Sequence, residues 1–430
     1  MTHCTIGNRK LLFRRSMLSR AKKNFLELIE SIWLPSMLIY TLIFFFLLIP
    51  VIRFDLMKIE GNKNLWFYSS FILLILLSGL RYRVGSDTLV YMRLFDKYPS
   101  MEELSTFDFQ TAEFNPLWYV FNAPFVTLKS FTLFQFAHAL VVNTIFFWFF
   151  RKYVPTAYFT AILVYYFGCF FYFNMEVLRE TLCIRILLLA YPSLEKRHFV
   201  RYFLWCVVAL FIHMSAAIML LIPLTLLFKR DNIWISVFAM LSVVLLLSVF
   251  DIIAYGLSLA FEGKVAEKIH SYLLRDEPNI FGILLQFFTM LPFLLVTYVR
   301  NKNHYDHDRV IGAALLMVVM VQTAGMFVAA FIRFTNYFMP LGIVFIVNTF
   351  YMHYWDLKKH LLTRMVMSCA LCTYVFTLSY YYLRNRSEDY PNGRHYHLYV
   401  PYHSVFDPVE DERRETLVKN MRSGEVTINF

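Results

Sequence analysis

The sequence predicts an all-α fold, a polytopic integral membrane protein with about twelve transmembrane helices. Three observations support this prediction. The chain of 430 residues is 59% hydrophobic and has a mean hydropathy of +0.53. Many of its apolar runs are about as long as the roughly 20 residues that a helix needs to cross a bilayer. These runs are continuous, whereas the strands of a membrane barrel alternate apolar and polar residues.

Most of the predicted spans are single apolar runs of suitable length. They lie at 33–52, 64–80, 131–150, 156–173, 176–193, 233–255, 281–299, 309–330, 334–354 and 363–383. The run 199–228 is too long for one simple span and carries His213 near its middle, so we interpret it as two tight helices that meet on the far face. The run 114–128 is short and contains two prolines, which predicts a re-entrant or interfacial segment.

The chain divides into three parts. A basic N-terminal segment covers 1–32, the membrane domain covers 33–383 with an outer loop at 81–130, and a polar C-terminal tail covers 384–430. Basic segments remain cytoplasmic, yet the span order puts 1–32 outside. Either this segment is an amphipathic helix on the inner leaflet and 114–128 is a true span, or translation starts at Met37. We favour the second interpretation.

The composition also limits the function. The formal net charge of +11 comes largely from loops rich in Lys and Arg, which is typical of cytoplasmic loops, so no nucleic-acid partner is expected. Cys369 and Cys372 fall inside a predicted span, and the tail histidines His395, His397 and His403 have no cysteine or carboxylate at metal-ligand spacing. We therefore expect neither a metal nor another cofactor. The lack of a glycine-rich phosphate loop argues against an ATP-driven pump.

Several charged residues fall on the outer face in this topology. They are Arg81, Arg83, Asp87, Glu176, Arg179, His213, Arg275 and Arg333. The cations among them cannot be explained as cytoplasmic anchors. Ionisable residues at the ends of spans usually face the bundle interior and line a functional cavity. A single site on the outer face is therefore predicted.

The stretch Arg81-Tyr82-Arg83-Val84-Gly85-Ser86-Asp87-Thr88 follows a predicted span directly and is the most informative part of the chain. The planar guanidinium of arginine binds phosphate oxygens two at a time. Glycine lets the backbone turn with positive φ or approach a ligand closely. This combination indicates a binding site for an anionic headgroup at the bilayer surface.

The stretch 79–88 resembles the signature of the EpsG family, bacterial membrane proteins grouped with Wzy-type polysaccharide polymerases. Three further stretches are similar to family elements: Leu178-Arg179-Glu180 to Asn-x-x-Arg-Gln, 210–216 to Phe-His-x-Ser/Thr-Ala, and 331–337 to Arg-Phe-x-x-Tyr. Their order and spacing fit over about 37–406. Two carboxylates depart from the pattern, since Glu176 replaces the family Asn and Glu180 the family Gln. The first predicts an ion pair of Glu176 with Arg179 along the helix.

The resemblance implies a membrane glycosyltransferase that joins oligosaccharide units carried on undecaprenyl diphosphate. The products would be exopolysaccharide, capsule or O-antigen, made at the periplasmic face of the bacterial cytoplasmic membrane. Expected partners are membrane lipid and other assembly proteins, such as a flippase and a chain-length regulator. Whether the reaction inverts or retains the anomeric configuration stays open.

Residue chemistry leads to the same substrate class. A leaving lipid diphosphate develops negative charge in a water-poor cleft and needs fixed cations. Arg81, Arg83, Arg179 and Arg333 are the predicted clamp, with Gly85 allowing close approach. Asp87 and His213 are the candidates for the base that activates the acceptor hydroxyl. We expect Arg81, Arg83 and Asp87 to matter most and His213 next.

Two other classes of function remain as alternatives. A glycan ligase would use the same diphosphate clamp, whereas a membrane acyltransferase would not need the Arg-x-Arg unit. A non-enzymatic flippase or transporter would carry charges near the bilayer midplane and commonly two related halves. No internal repeat is visible in this sequence.

Overall fold

The computed structural model describes residues 34–109, 111–227, 242, 290–295, 309–325, 329–354, 365–366, 368–376 and 395–423. In this part of the chain the regular structure is helical and contains no strand, as the sequence predicts. The predicted N-terminal segment 1–32 and nearly all of the predicted span 233–255 lie outside the described residues. Arg275 and most of the spans 281–299 and 363–383 also lie outside them.

The described helices fall close to the predicted runs. They are α1 (Leu34–Pro50), α2 (Lys63–Gly79), α3 (Ser86–Leu94), α4 (Pro116–Thr127), α5 (Phe131–Tyr153), α6 (Tyr158–Gly168), α7 (Phe170–Met175), α8 (Leu178–Glu195), α9 (Phe199–Leu210), α10 (Ile218–Leu221), α11 (Arg309–Gly325), α12 (Met339–Tyr354) and α13 (Glu412–Ser423). A π-helical turn, Val51–Leu56, extends α1. Turns of 3₁₀ helix lie at Phe95–Lys97, Glu103–Ser105, Met214–Ala217, Ile222–Leu227, Ala329–Phe338 and His395–Leu398.

Two of the described helices are both long and apolar enough to cross a membrane, Met37–Leu56 and Phe131–Tyr153. Shorter apolar helices lie at Lys63–Gly79, Tyr158–Gly168, Phe199–Leu210 and Met214–Leu224. The total of about twelve spans therefore stays a prediction.

Three helices leave stripes of large apolar side chains exposed at helical spacing. On α1 these are Leu38, Leu42, Phe45 and Ile49, on α2 Leu65, Tyr68, Ile72 and Leu76, and on α9 Val200, Phe203, Leu204, Val207 and Val208. Contiguous exposed apolar surface of this kind marks contact with a membrane or a partner. In each stripe the exposed residues recur every three or four positions, which places them on one face of the helix. That face is suited to contact with lipid.

The long apolar run 199–228 is broken where its length predicts a break. Helix α9 ends at Leu210, and His213 is the N-terminal capping residue of the 3₁₀ turn Met214–Ala217. The short run 114–128 forms α4, which begins with Pro116 at its first turn, the helical position that tolerates proline best. The predicted span 156–173 is divided between α6 and α7 at Cys169.

Helix α8 lies at the centre of the described structure. It packs against α5, α7 and α9, and it also contacts the 3₁₀ segments Met214–Ala217 and Ala329–Phe338. Its interior residues Cys183, Ile184, Leu187 and Leu188 are fully buried. Through these contacts the start of α8 lies beside segments that come from three distant parts of the sequence.

The C-terminal tail packs against the loop that follows α2. Tyr82 N donates to the His403 carbonyl (2.8 Å), Gly85 N to the Leu398 carbonyl (2.9 Å) and Val405 N to the Leu80 carbonyl (2.9 Å). The described residues 395–423 of the tail are thus hydrogen-bonded to the loop that follows α2.

Candidate functional site

Arg81 is almost completely buried, with 1% of its surface exposed. Its Nε donates to the Val84 carbonyl (3.3 Å), its Nη2 to Thr88 Oγ1 (3.0 Å) and its Nη1 to the Ser78 carbonyl. Burial lowers the pKa of Arg81 to about 10, so the guanidinium keeps its charge at neutral pH. These bonds close the loop on itself, and they engage each nitrogen that a phosphate would need.

Arg83 faces the tail. Its Nε and Nη2 both donate to Glu415 Oε1, at 2.9 and 2.6 Å, and its Nη1 lies 3.3 Å from Glu410 Oε1. Partial burial acts to lower the pKa of Arg83, but the Glu415 and Glu410 carboxylates raise it overall above its ordinary value. The other Glu415 oxygen accepts from Arg93 Nη2 at 2.9 Å. A carboxylate of the protein thus occupies the guanidinium for which the sequence predicted a phosphate.

A second tail residue, Arg414, is 1% exposed and holds the backbone of the loop. Its Nη1 donates to the Arg83 carbonyl at 2.9 Å, its Nε to the His397 carbonyl at 3.4 Å, and its Nη2 to the Pro401 carbonyl. Arg83 has a φ of 53°, in the left-handed region that costs a non-glycine residue about 1–3 kcal/mol. The bond from Arg414 to its carbonyl helps to maintain that conformation.

Gly85 brings the loop into close contact with the end of α7. Its φ is +97°, and a Cβ placed there would lie 2.2 Å from the Met175 carbonyl oxygen. The same carbonyl accepts a hydrogen bond from Thr88 Oγ1 at 2.9 Å. Only glycine combines this φ with this approach. Gly85 therefore positions α3, with Asp87 in its first turn, against the residues that precede α8.

The start of α8 carries two charged residues with different partners. Arg179 Nε donates to the Tyr91 hydroxyl at 2.8 Å, and its Cζ lies 4.1 Å from the centroid of the Phe114 ring. Glu180 is buried and accepts from Asn336 Nδ2 at 2.8 Å. Asp87, which is half-buried, lies close enough to interact electrostatically with both Arg179 and Glu180.

Glu176 does not act as the sequence suggested. Its carboxylate accepts from the Tyr399 hydroxyl at 2.6 Å and lies 3.3 Å from His395 Nε2. The capping residue of α8 is Val177, so Glu176 lies outside the helix, and the i, i+3 geometry expected for an ion pair with Arg179 does not apply. Glu176 instead ties the tail to the start of α8.

His213 has a defined hydrogen-bonding role at the break after α9. Its Nδ1 accepts from the Ser215 backbone N–H at 3.1 Å and lies 2.6 Å from Ser215 Oγ, which in turn lies 2.8 Å from the Tyr337 hydroxyl. Because Nδ1 is an acceptor here, these partners assign the neutral imidazole its proton on Nε2. In this tautomer Nε2–H is a donor, which differs from the base that the sequence suggested.

Arg333 completes the group. It lies exposed in the 3₁₀ segment Ala329–Phe338, close enough to interact electrostatically with both His213 and Glu180. Arg179 acts on His213 as well. In the part of the chain that the structure describes, neither Arg179 nor Arg333 forms an ion pair with a carboxylate.

The structure thus divides the predicted site residues into two sets. The segments that carry His213 and Arg333 both contact α8, through pairs such as Asn336–Glu180, and Asp87 lies close enough to Arg179 to interact with it. Asp87, Arg179, His213 and Arg333 thus lie around the start of α8, and we call them the α8 cluster. Arg81, Arg83 and Gly85 instead hold the loop that carries Asp87. Among the described residues, no group of three or more His, Cys, Asp or Glu side chains is arranged to hold a metal ion.

Sequence reasoning missed several members of the surroundings. Ser215, Asn336 and Tyr337 lie inside the stretches that resemble family elements, so those stretches already contained the signal. Glu415 and Arg414 had only a weak signal, the charged run Glu412-Arg413-Arg414-Glu415 followed by the apolar pair Leu417 and Val418. That pattern predicts a surface helix but does not reveal what it packs against.

Comparison with known proteins agrees with the motifs. The profile of the EpsG family matches residues 64–404, which is most of the chain and includes every residue of the α8 cluster. No curated protein and no solved structure matches the chain significantly. The order of the four motif stretches, the exposed apolar helices and the profile match agree, and the chain belongs to the EpsG family.

Proposed function

We propose that this protein is a polysaccharide polymerase that joins oligosaccharide repeat units carried on undecaprenyl diphosphate. The observation that carries the proposal is the convergence of Arg179, His213 and Arg333, from three separate elements, beside Asp87. Neither arginine forms an ion pair with a carboxylate of the described residues, so both guanidinium groups are suited to an anionic ligand. Arg179 is half-buried, which strengthens its effect on developing charge, whereas Arg333 is exposed.

In the proposed reaction the acceptor hydroxyl oxygen attacks the anomeric carbon of the donor sugar. The bond from that carbon to the diphosphate oxygen breaks, and its electron pair leaves with the lipid diphosphate. Arg179 and Arg333 stabilise the negative charge that develops on the diphosphate, and His213 Nε2–H donates to it. Asp87 accepts the proton of the acceptor hydroxyl.

Arg81, Arg83 and Gly85 support this chemistry as positioning residues. Arg81 donates a hydrogen bond to Thr88, and Gly85 packs against Met175. These contacts fix the loop between α2 and α3. Arg83 joins the loop to α13. Asp87 lies in the first turn of α3, directly after this loop. Its position beside Arg179 therefore depends on the conformation of the loop.

We propose further that the chain crosses the bacterial cytoplasmic membrane several times and works at its outer face. The exposed apolar stripes on α1, α2 and α9 support contact with lipid. A flippase would deliver the lipid-linked donor to that face, and a chain-length regulator would act on the growing polymer. Exopolysaccharide, capsule and O-antigen are the product classes to which this reaction belongs.

The test is a surface-glycan profile of a deletion strain complemented with the wild type, Arg179→Ala, Arg333→Ala or Arg201→Ala. Arg201 is an exposed arginine on α9 outside the cluster and serves as the matched control. We expect both cluster variants to lose the long-chain ladder while single repeat units are still made. We expect Arg201→Ala to retain the ladder.

Two results would contradict the proposal in different ways. Loss of all surface glycan in the deletion strain, single units included, would indicate flipping or ligation. A complete ladder in both Arg179→Ala and Arg333→Ala would exclude these two residues as the diphosphate clamp. Membrane fractions probed for the protein would ensure that each variant is present at wild-type level.

A further inference from the structure

The outer loop contains a cavity of about 290 Å³ whose walls differ in chemistry. The side chains of Tyr98, Phe107 and Tyr119 form an aromatic floor. Lys97, Asp108 and Glu113 lie at the rim and are exposed. The volume is close to the lower limit of small-ligand sites, roughly 300 Å³.

The aromatic floor is held in place by fixed contacts. The rings of Phe107 and Tyr119 lie 4.9 Å apart, and the ring of Tyr98 packs edge-on against Tyr119 at 5.3 Å. Tyr119 Oη accepts from the Phe114 backbone N–H at 3.2 Å, and Tyr98 Oη from Trp118 Nε1 at 3.5 Å. Tyr98 and Tyr119 are about 5% and 4% exposed and form the packed support, whereas Phe107 is half-buried and offers the cavity an apolar ring, which suits the C–H face of a sugar.

The rim supplies hydrogen-bond acceptors. Asp108 Oδ2 accepts from Thr111 Oγ1 at 3.0 Å, which orients that carboxylate, and Glu113 stands at the opposite end of the segment. Ionised carboxylates accept several hydrogen bonds and so match neighbouring sugar hydroxyls. Two carboxylates against the single cation of Lys97 leave the rim negative, which disfavours an acidic sugar.

Phe114 connects this cavity to the α8 cluster. Its ring lies 6.0 Å from the rings of both Tyr98 and Tyr119. Arg179 Cζ lies 4.1 Å from the centroid of the same ring. One aromatic side chain therefore separates the floor of the cavity from an arginine of the proposed diphosphate clamp.

We propose that this cavity is a saccharide subsite that binds a neutral sugar residue of the repeat unit while the diphosphate lies at the α8 cluster. The inference rests on the proposed function for the identity of the glycan. The aromatic floor supports the sugar ring, and Asp108 and Glu113 accept from its hydroxyls. The subsite would help to select which repeat unit the protein extends.

The test is saturation-transfer NMR on the full-length protein in detergent. The probe is the oligosaccharide mixture released by mild acid from the host's own surface polysaccharide, separated into neutral and acidic fractions. We compare the wild type with Glu113→Gln and Phe107→Ala. Glu102→Gln is the matched control, because Glu102 is an exposed carboxylate of the same loop that does not line the cavity.

We expect the neutral fraction to bind the wild type and Glu102→Gln equally. Glu113→Gln should weaken binding by about tenfold, because a neutral amide replaces a charged acceptor. Phe107→Ala should weaken binding by about the same factor, because it removes the apolar ring that contacts the sugar. Wild-type affinity in both variants, or binding of the acidic fraction alone, would overturn the subsite. Glu113→Gln is isosteric at an exposed position, so it tests the proposal even if Phe107→Ala does not fold.

The Arg333→Ala variant separates this inference from the proposed function. It should bind the released oligosaccharide like the wild type, because the probe carries no diphosphate, and yet produce no long-chain ladder. If Arg333→Ala keeps the ladder while Glu113→Gln loses saccharide binding, the result supports the saccharide subsite and contradicts the diphosphate clamp. If Arg333→Ala loses the ladder while Glu113→Gln binds the saccharide normally, the result supports the diphosphate clamp and contradicts the saccharide subsite.

Discussion

Arg83 donates two hydrogen bonds to a single oxygen of Glu415, at 2.6 and 2.9 Å, across 332 residues of sequence. The other oxygen of that carboxylate binds Arg93. Glu415 thus lies between two guanidinium groups, one at the end of α3 and one in the loop before it. This pairing ties the C-terminal helix α13 to the most informative motif of the sequence.

Glu415→Gln should lower the stability of the protein by about 1–3 kcal/mol, because it replaces hydrogen bonds to a charged carboxylate with bonds to a neutral amide. Thermal unfolding in detergent measures the change. Glu412→Gln is the control, since Glu412 is an exposed carboxylate on the same helix. Equal melting temperatures for the two variants would mean that the pair contributes nothing to the docking of α13.

Arg414→Met should expose the tail. The substitution leaves the carbonyls of Arg83, Pro401 and His397 without the guanidinium that now binds them. A buried carbonyl that loses its partner costs about 1–3 kcal/mol, so the total should exceed the effect of Glu415→Gln. Limited digestion with chymotrypsin, which can cleave after Tyr402 and Phe406, reports the release.

The neighbouring variant Arg413→Met is the control for this experiment, since Arg413 is exposed. It should be digested at the wild-type rate. Digestion of Arg414→Met no faster than that of Arg413→Met would show that the buried guanidinium does not hold the tail.

Gly85→Ala should prevent correct folding of the loop that follows α2. The added Cβ would lie 2.2 Å from the Met175 carbonyl oxygen, at a φ of +97° that alanine rarely adopts. The φ penalty alone is about 1–3 kcal/mol. Size-exclusion profiles and melting temperatures in detergent would reveal the loss.

Gly61→Ala provides the comparison. Its new Cβ would lie 3.3 Å from Arg53 Nη2 and from Phe54 Cε1, at the flexible end of an arginine and the edge of a ring. We expect near-wild-type behaviour from this variant. Similar profiles for the two alanine variants would refute a special role for Gly85.

Thr88 should tolerate serine but not valine. Its hydroxyl accepts from Arg81 Nη2 at 3.0 Å and donates to the Met175 carbonyl at 2.9 Å. Valine has nearly the same shape but leaves a buried guanidinium and a carbonyl without these bonds, at a cost of about 1–3 kcal/mol. Thr88→Ser keeps both bonds. Melting curves that rank the valine variant with the serine variant would contradict the proposed bridge.

His213→Asn should separate folding from activity. The asparagine side-chain oxygen can accept from Ser215 N–H as Nδ1 does now, but it offers no donor at the position of Nε2. We expect a stable protein whose polymer synthesis falls about 100-fold or more, as for loss of an oxyanion donor. Polymer formed per mole of folded protein is the measurement. Activity within a few-fold of wild type would exclude Nε2–H as a donor to substrate.

The apolar runs predicted the positions of the described helices well, because the length and hydrophobicity of a helix depend on local sequence. The break near His213 followed from the length of the run 199–228 and from the basic residues at both of its ends. Arg179, His213 and Arg333 were expected on one face because the predicted topology places the ends of their spans there, and such residues usually line a cavity. The predicted number of spans is not confirmed, because several of the described apolar helices are shorter than a bilayer requires.

The roles of Arg81 and Arg83 could not be read from their sequence positions. An arginine beside a span can bind a phosphate, a carboxylate or backbone carbonyls, and all three choices have the same local pattern. Arg81 binds carbonyls and a hydroxyl within seven residues of itself. Arg83 binds a carboxylate that lies 332 residues later. Only the tertiary structure distinguishes these outcomes.

The bond from Arg414 to the Arg83 carbonyl spans 331 residues and has a consequence for biosynthesis. The loop after α2 leaves the ribosome early, but the residues that complete its structure are made near the end of translation. Until then, the loop lacks the partner of the Arg83 carbonyl. The loop after α2 therefore completes its hydrogen bonds only after the C-terminal helix has been synthesised and has docked beside it.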